Sequence, residues 1–250
     1  MERDAGTLDE GSGEPAGQSW ARAYLCSGWL PFVPYLGVFY AAFALKLPLA
    51  PVLWVYYALQ GLHLLLLVGV ALTGRRGATA GHGLFWLGMA ALFVLPGVFL
   101  EPSSDAWFHL RRCLEWAGHE NVGDFSRPDR FAYLIGWSFL RLFPLAWLEA
   151  GFTLYGAFWN GVLAWQFYLL ARALGFPRLE AKLQVLGVVL LFGVGLIGFF
   201  RYYSISSTPL AHLAYLAALR HFIGWTGRPS RQGAGAVLLA LILSAGNHFQ

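Results

Sequence analysis

Leu53–Leu72 reads LWVYYALQGLHLLLLVGVAL, and this stretch decides the fold class. It carries no charged side chain, and at about 20 residues it is long enough, as a helix, to cross a hydrocarbon core about 30 Å thick. His63 lies inside it. With no second histidine four residues away, His63 reads as a packed or hydrogen-bonded bundle residue rather than a metal ligand.

The rest of the chain agrees. Of 250 residues, 58% are hydrophobic and 12% charged, and the mean hydropathy is +0.56; soluble domains carry about 25% charged residues. The 11 Trp, 11 Tyr and 20 Phe suit interfacial belts and helix packing better than a soluble core. A net charge of +4 raises nucleic acid as a partner. The arginines, however, are spread over short connections between apolar runs rather than along a stripe, so membrane lipids are the expected partners and nucleic acid is not. Cys26 and Cys113 form no C-x-x-C and no ligand cluster, and read as small apolar fillers.

Working outward from Leu53–Leu72, Lys46 and Pro48 mark a tight connection on the upstream side. Before them Trp29–Leu45 is a first span, kinked or shortened near its start by Pro31 and Pro34. Residues 1–27, acidic and Gly-rich at the start and lacking a basic signal-peptide region, are expected to form a disordered acidic tail. Residues 28–250 form the transmembrane helical domain.

On the downstream side Thr73–His82 carries Arg75 and Arg76, which the positive-inside rule places in the cytoplasm. His82–Leu100 is the third span. The segment Glu101–Arg130, EPSSDAWFHLRRCLEWAGHENVGDFSRPDR, is then extracytoplasmic. Phe131–Gly175 is long enough for two spans, but Arg172, Arg178 and Lys182 put the next connection in the cytoplasm, so one crossing must separate it from the polar segment. Phe131–Leu148 is therefore expected to lie along the outer interface or dip into it, with Arg141 snorkelling to the headgroups. Ala150–Leu174 is the fourth span. Leu183–Phe200, Leu210–Ile223 and the short Ala234–Ala245 continue the alternation, with Arg201–Thr208 outside and Gly227–Gly233, bearing Arg228 and Arg231, inside. The expected fold is all-α: a polytopic membrane helix bundle of about seven spans, with amphipathic helices in a large extracytoplasmic loop over residues 101–148. Ala234–Ala245 is too short to cross alone, and the chain is expected to be incomplete at its C-terminus. The excess of Arg over Lys favours a bacterial inner membrane, with the 101–148 loop periplasmic.

The polar segment gathers Glu101, Asp105, Glu115, Glu120, Asp124 and Asp129, out of 13 acidic residues in the chain; five others lie in the N-terminal tail. Ionisable groups near a bilayer are expensive to keep, which makes this loop the place to look for function. Ser103 or Ser104 caps a helix from Asp105 to about Ala117, whose apolar stripe, Trp107, Leu110, Leu114 and Ala117, would rest on the membrane. On a neighbouring face Asp105, His109, Arg112 and Trp116 line up at steps of four, three and four. Asp105 can act as a general base, ligate a divalent cation such as Mg²⁺ or Mn²⁺, or serve only as a helix-start residue paired with His109. His109 can share protons or metal, and the arginines can hold a phosphate. His119 and Glu120 read as solvated loop residues. Arg201, followed by Tyr202 and Tyr203 where a span leaves the membrane on the outer side, is a lipid-phosphate ligand or an interfacial anchor.

A span that runs straight into an outer loop with an acid near its start, here Ser104-Asp105-Ala106-Trp107-Phe108-His109-Leu110-Arg111-Arg112, followed by juxtamembrane helices, resembles the GT-C superfamily of integral-membrane glycosyltransferases. The resemblance implies a sugar taken from a polyprenyl-phosphate donor on the non-cytoplasmic side. It gives Asp105 the role of base, acceptor-orienting group or metal ligand, and gives donor-phosphate binding to basic residues near outer span ends, Arg201 with Tyr202 being the best positional match and Arg112 a second. Two other classes stay open. A transporter or lipid flippase needs polar groups at mid-membrane depth, where only His63 and His212 lie. A non-catalytic scaffold would tolerate a conservative change at Asp105.

Overall fold

The computed structural model describes residues 16–73, 80–99, 104–124, 131–191 and 208–246, and among these it is all helical. The helices are α1 (Ala16–Cys26), α2 (Val33–Ala44), α3 (Leu49–Thr73), α4 (Ala80–Phe99), α5 (Ser104–Leu114), α6 (Phe131–Leu140), α7 (Leu148–Ala173), α8 (Arg178–Leu191), α9 (Thr208–Gly227) and α10 (Arg231–Gly246). Short 3-10 turns cover Leu30–Phe32, Glu115–Gly118, Val122–Asp124 and Leu145–Trp147.

Among the described residues, α3 is the one helix long and apolar enough to cross a membrane by itself, over Leu49–Leu72. Two bent pairs reach the same length if each is taken as one span: Trp20–Cys26 with Leu30–Ala44, bent by 88°, and Phe131–Leu140 with Leu145–Ala173, bent by 118°. Much of the α3 surface is bare apolar side chain, including Trp54, Leu62, Leu64, Leu65, Leu67 and Leu72. In water such a surface would be unfavourable to leave open; against lipid tails it costs nothing.

Ala16–Cys26, read from sequence with the disordered tail, is a helix instead. Trp20 stacks on Tyr24 with ring centroids 5.4 Å apart, and Ala21 is buried, so this segment is packed. The turn that follows depends on Gly28, whose φ of +74° belongs to the left-handed region. A side chain there would also collide with the Gln166 amide. Pro31 and Pro34 fall in the first turns of the 3-10 segment and of α2, positions whose missing N–H is unpaired in any case, so they start this helix and bend its approach.

The other difference concerns α6. Sequence reasoning expected Phe131–Leu148 as one helix along the outer interface or dipping into it. The helix ends at Leu140, because Pro144 imposes extended backbone (ψ 151°) before the chain turns into α7. Phe131, Ala132, Tyr133, Leu134, Ile135, Gly136, Ser138 and Leu140 are all buried. A helix apolar on every side has no polar face to offer a headgroup layer and is enclosed by protein. Arg141, just beyond its end, is exposed and lies 5.8 Å from the Trp137 ring.

Helix α7 is the hub, touching α4, α6, α8 and α9. Its buried face, Phe152, Tyr155, Trp159, Leu163 and Tyr168, forms the middle of the core. The α9–α10 hairpin packs on it through Leu210, Leu213, Ala214 and Ala217, small and apolar residues that let helices approach closely. Ser230 caps α10 by accepting from the Gly233 N–H at 3.0 Å, which starts that helix earlier than the apolar run alone suggests.

Contacts at the helix ends fall into two groups. At one end, Trp165 Nε1 donates to the Cys26 carbonyl at 2.7 Å, Trp29 Nε1 donates to His221 Nε2 at 3.1 Å, and Lys182 sits 5.3 Å from the Phe85 ring. At the opposite end of α2 and α3, the turn at Leu45–Pro48 meets the segment that follows α5.

Candidate functional site

The described part of the polar segment is folded as a cap on that second end. After α5 the backbone tightens into the 3-10 turn Glu115–Gly118 and then pairs with the α2–α3 turn: Leu49 N donates to Glu120 O at 2.7 Å, and Val122 N donates to Leu47 O at 3.0 Å. Pro48 and Asn121 form an isolated antiparallel bridge. Asp124 closes the loop by accepting from the Asn121 N–H at 2.9 Å. Lys46 sits in the turn with φ +50°, and Gly123 lies so close that an added Cβ would be 2.9 Å from Lys46 Cγ and 3.2 Å from the Phe43 carbonyl oxygen. Glu120 is exposed, yet its backbone is one of the two hydrogen-bonded tethers.

The inward face of α5 is His109, Leu110 and Cys113, continued by Trp116, all buried. Trp107 and Ala117, expected on the apolar stripe with Leu110 and Leu114, are exposed. The stripe is rotated because α5 packs on protein, against α6, and because the helix tightens at Glu115. Cys113 is buried opposite Gly136 of α6, where a Cβ would come 2.8 Å from its Sγ. Burial in these apolar surroundings pushes the Cys113 thiol up, so it stays protonated and inert. Cys26, by contrast, is exposed.

His109 Nδ1 and the Tyr133 hydroxyl share a hydrogen bond of 2.8 Å, and their rings stack at 5.9 Å. The imidazole is thus fixed in orientation by a tyrosine that α6 supplies. Arg112 is committed differently: its Nη1 donates to both carboxylate oxygens of Glu115 at 3.0 Å, and its guanidinium lies 4.8 Å from the Phe108 ring. Asp105 is in the first turn of α5, where the helix dipole favours a carboxylate, but its side chain lies outside the described residues, so its pairing with His109 and its use as a metal ligand are not described. Arg201 and Tyr202 also lie outside them. Among the described residues no group of three or more His, Cys, Asp or Glu could hold a metal ion.

Tyr133 is the partner of His109 that sequence reasoning missed. A tyrosine within the apolar run FAYLIGW was the available signal. His63, expected to be hydrogen-bonded within the bundle, is so: Tyr24 Oη lies 2.8 Å from its Nε2 and Tyr35 Oη 3.3 Å from its Nδ1.

The described chain is thus an all-helical protein with one helix able to cross a membrane alone and a polar cap tied to one end of its bundle. No protein family, no characterised protein and no solved structure matches it.

Proposed function

We propose that the chain is a multi-pass membrane glycosyltransferase of the GT-C kind, moving a sugar from a polyprenyl-phosphate-linked donor to an extracytoplasmic acceptor. The observation that carries this reading is the cap: an acid in the first turn of α5 and a histidine clamped by Tyr133, on a segment tied to the α2–α3 turn. About seven spans in a bacterial inner membrane remain part of the reading. The grouping of helix-end contacts supports it, since the basic connections near Lys182 and Arg228 and the cap fall at opposite ends, as alternating crossings require.

In this reading Asp105 takes the proton from the acceptor hydroxyl as its oxygen bonds to the anomeric carbon. The bond from that carbon to the donor phosphate breaks, and the phosphate leaves with the electron pair. Arg201, with Tyr202 beside it, balances the growing phosphate charge. Arg112 gives Nη1 to Glu115 and can turn its Nη2 and Nε donors to the phosphate. His109 orients the acceptor or relays its proton. A divalent cation, Mg²⁺ or Mn²⁺, held by Asp105 is part of the same reading.

The test is turnover of polyprenyl-phosphate-linked sugars in membranes carrying the protein, wild type against Asp105→Asn at equal abundance. Loss of at least about 100-fold in the variant is expected for a positioned general base. Equal turnover would move the base to Glu149 or Asp124. No turnover in either protein, across several donors, would sink the transferase reading in favour of a transporter or a scaffold.

A further inference from the structure

Between the α1–α2 bend, α3, α4 and α7 lies a cavity of about 800 Å³, a volume that holds a drug-sized or lipid-sized molecule. Leu64 and Leu67 of α3, Met89 and Val94 of α4, and Phe158 of α7 make its wall apolar. None of its lining residues is Asp, Glu, Lys or Arg. An anionic or cationic head placed there would lose its hydration with nothing to replace it, so the wall selects against charge.

The wall does offer a hydrogen-bond donor. His63 and Tyr35 both line the cavity, and Tyr24 holds the far nitrogen of the same imidazole. A neutral imidazole has one N–H and one bare nitrogen. With the ring proton on Nδ1, which the Leu59 carbonyl favours, Tyr24 donates to Nε2, while Tyr35 on the wall faces the N–H and keeps its own proton to donate into the cavity. Gln60, donating to Ser138 Oγ at 2.9 Å, adds a second neutral polar group to the lining.

We propose that this cavity binds an uncharged lipid through one hydrogen-bond-accepting oxygen at the head of a long apolar chain, the hydroxyl of a long-chain alcohol or one carbonyl of a quinone. The oxygen accepts from the Tyr24–His63–Tyr35 relay and the chain lies along Leu64, Leu67 and Val94. The site is separate from the polar cap and goes beyond the transferase reading: its ligand carries no phosphate, and its occupancy does not depend on whether any sugar is transferred.

The test measures retention of tritiated dodecanol and tritiated decylubiquinone by the purified full chain after gel filtration, with dodecyl phosphate as the charged control. Wild type is expected to retain the alcohol, the quinone or both, and whichever is kept identifies the source. Gly161 lines the cavity, and a Cβ on it would meet no atom within 4 Å. Gly161→Leu has room for its Cβ, and is expected to project into the cavity and to lower retention at least about tenfold. His63→Phe keeps the volume and is expected to lower it about fivefold, the effect of one neutral hydrogen bond. Melting temperatures report folding, and Ala157→Leu is the filler to use if Gly161→Leu melts early. Retention of neither probe, retention of dodecyl phosphate as strong as that of the alcohol, or retention unchanged by a folded filler variant would each overturn the proposal.

Discussion

Cys113 and Gly136 face each other where α5 crosses α6, and the missing Cβ at 136 is what lets the thiol in. Gly136→Ala is expected to destabilise the protein by about 1–3 kcal/mol through overpacking, and Cys113→Ala in the same chain should recover most of it; paired thermal melts check both. Recovery of nothing would show that the strain at 136 lies against Tyr155 instead. Tyr133→Phe deletes the hydroxyl that holds His109, at about 1 kcal/mol for a buried neutral hydrogen bond; a chemical melt of wild type and variant would detect it. The Arg112–Glu115 pair is partly solvated, so Glu115→Gln is expected to change stability by less than about 1 kcal/mol. Under the transferase reading the same change frees Nη1 for phosphate too. That Asp105, His109 and Arg112 share one helix was legible in the sequence, because their spacing is a local property. Tyr133 was not, because its distance from His109 depends on how the next helix folds back. The sequence also could not say that Arg112 would be spent on Glu115, three residues on, since its spacing to Asp105 and His109 is as good on paper.

At the scale of elements, the spans with a clear chemical start or stop were read closely. The expected Ala150–Leu174 lies within two residues of α7, which ends before Gly175 (φ +94°); α8, after Pro177, starts at Arg178, five residues before the expected Leu183, because Arg178 and Lys182 read as a connection. What escaped was the place of α6. Its residues are apolar on all sides, and a uniform pattern carries no period from which to tell a core helix from an interfacial one. The cap's attachment also escaped, since it rests on two backbone hydrogen bonds that leave no mark on side-chain pattern. It can be tested at its tightest point. Gly123→Leu would drive a side chain into Lys46 and the Phe43 carbonyl, and is expected to raise amide hydrogen exchange at Leu49 and Val122, whose N–H groups form the tether, by about tenfold or more while leaving α9 and α10 protected. Uniform loosening of the whole chain would contradict a separable cap.

For the whole molecule, the alternation of charged connections predicts sidedness. In a background with both native cysteines replaced, Glu120→Cys should react with a membrane-impermeant maleimide added outside sealed cells, and Ser230→Cys only after permeabilisation. Labelling of both from one side would remove the odd number of crossings between them. The tether between the α2–α3 turn and the cap has a further consequence, for biosynthesis. The turn emerges from the ribosome early, with the Leu47 carbonyl and the Leu49 N–H unanswered, and their partners at Glu120 and Val122 emerge only after α3 and α4 have been made. Nothing can close over the turn until that hairpin has returned the chain to the same side, and only then is there a seated α5 against which α6 can be buried. A translation arrest that holds the chain short of Val122 would therefore leave the α2–α3 turn without its partners and α5 without its seat.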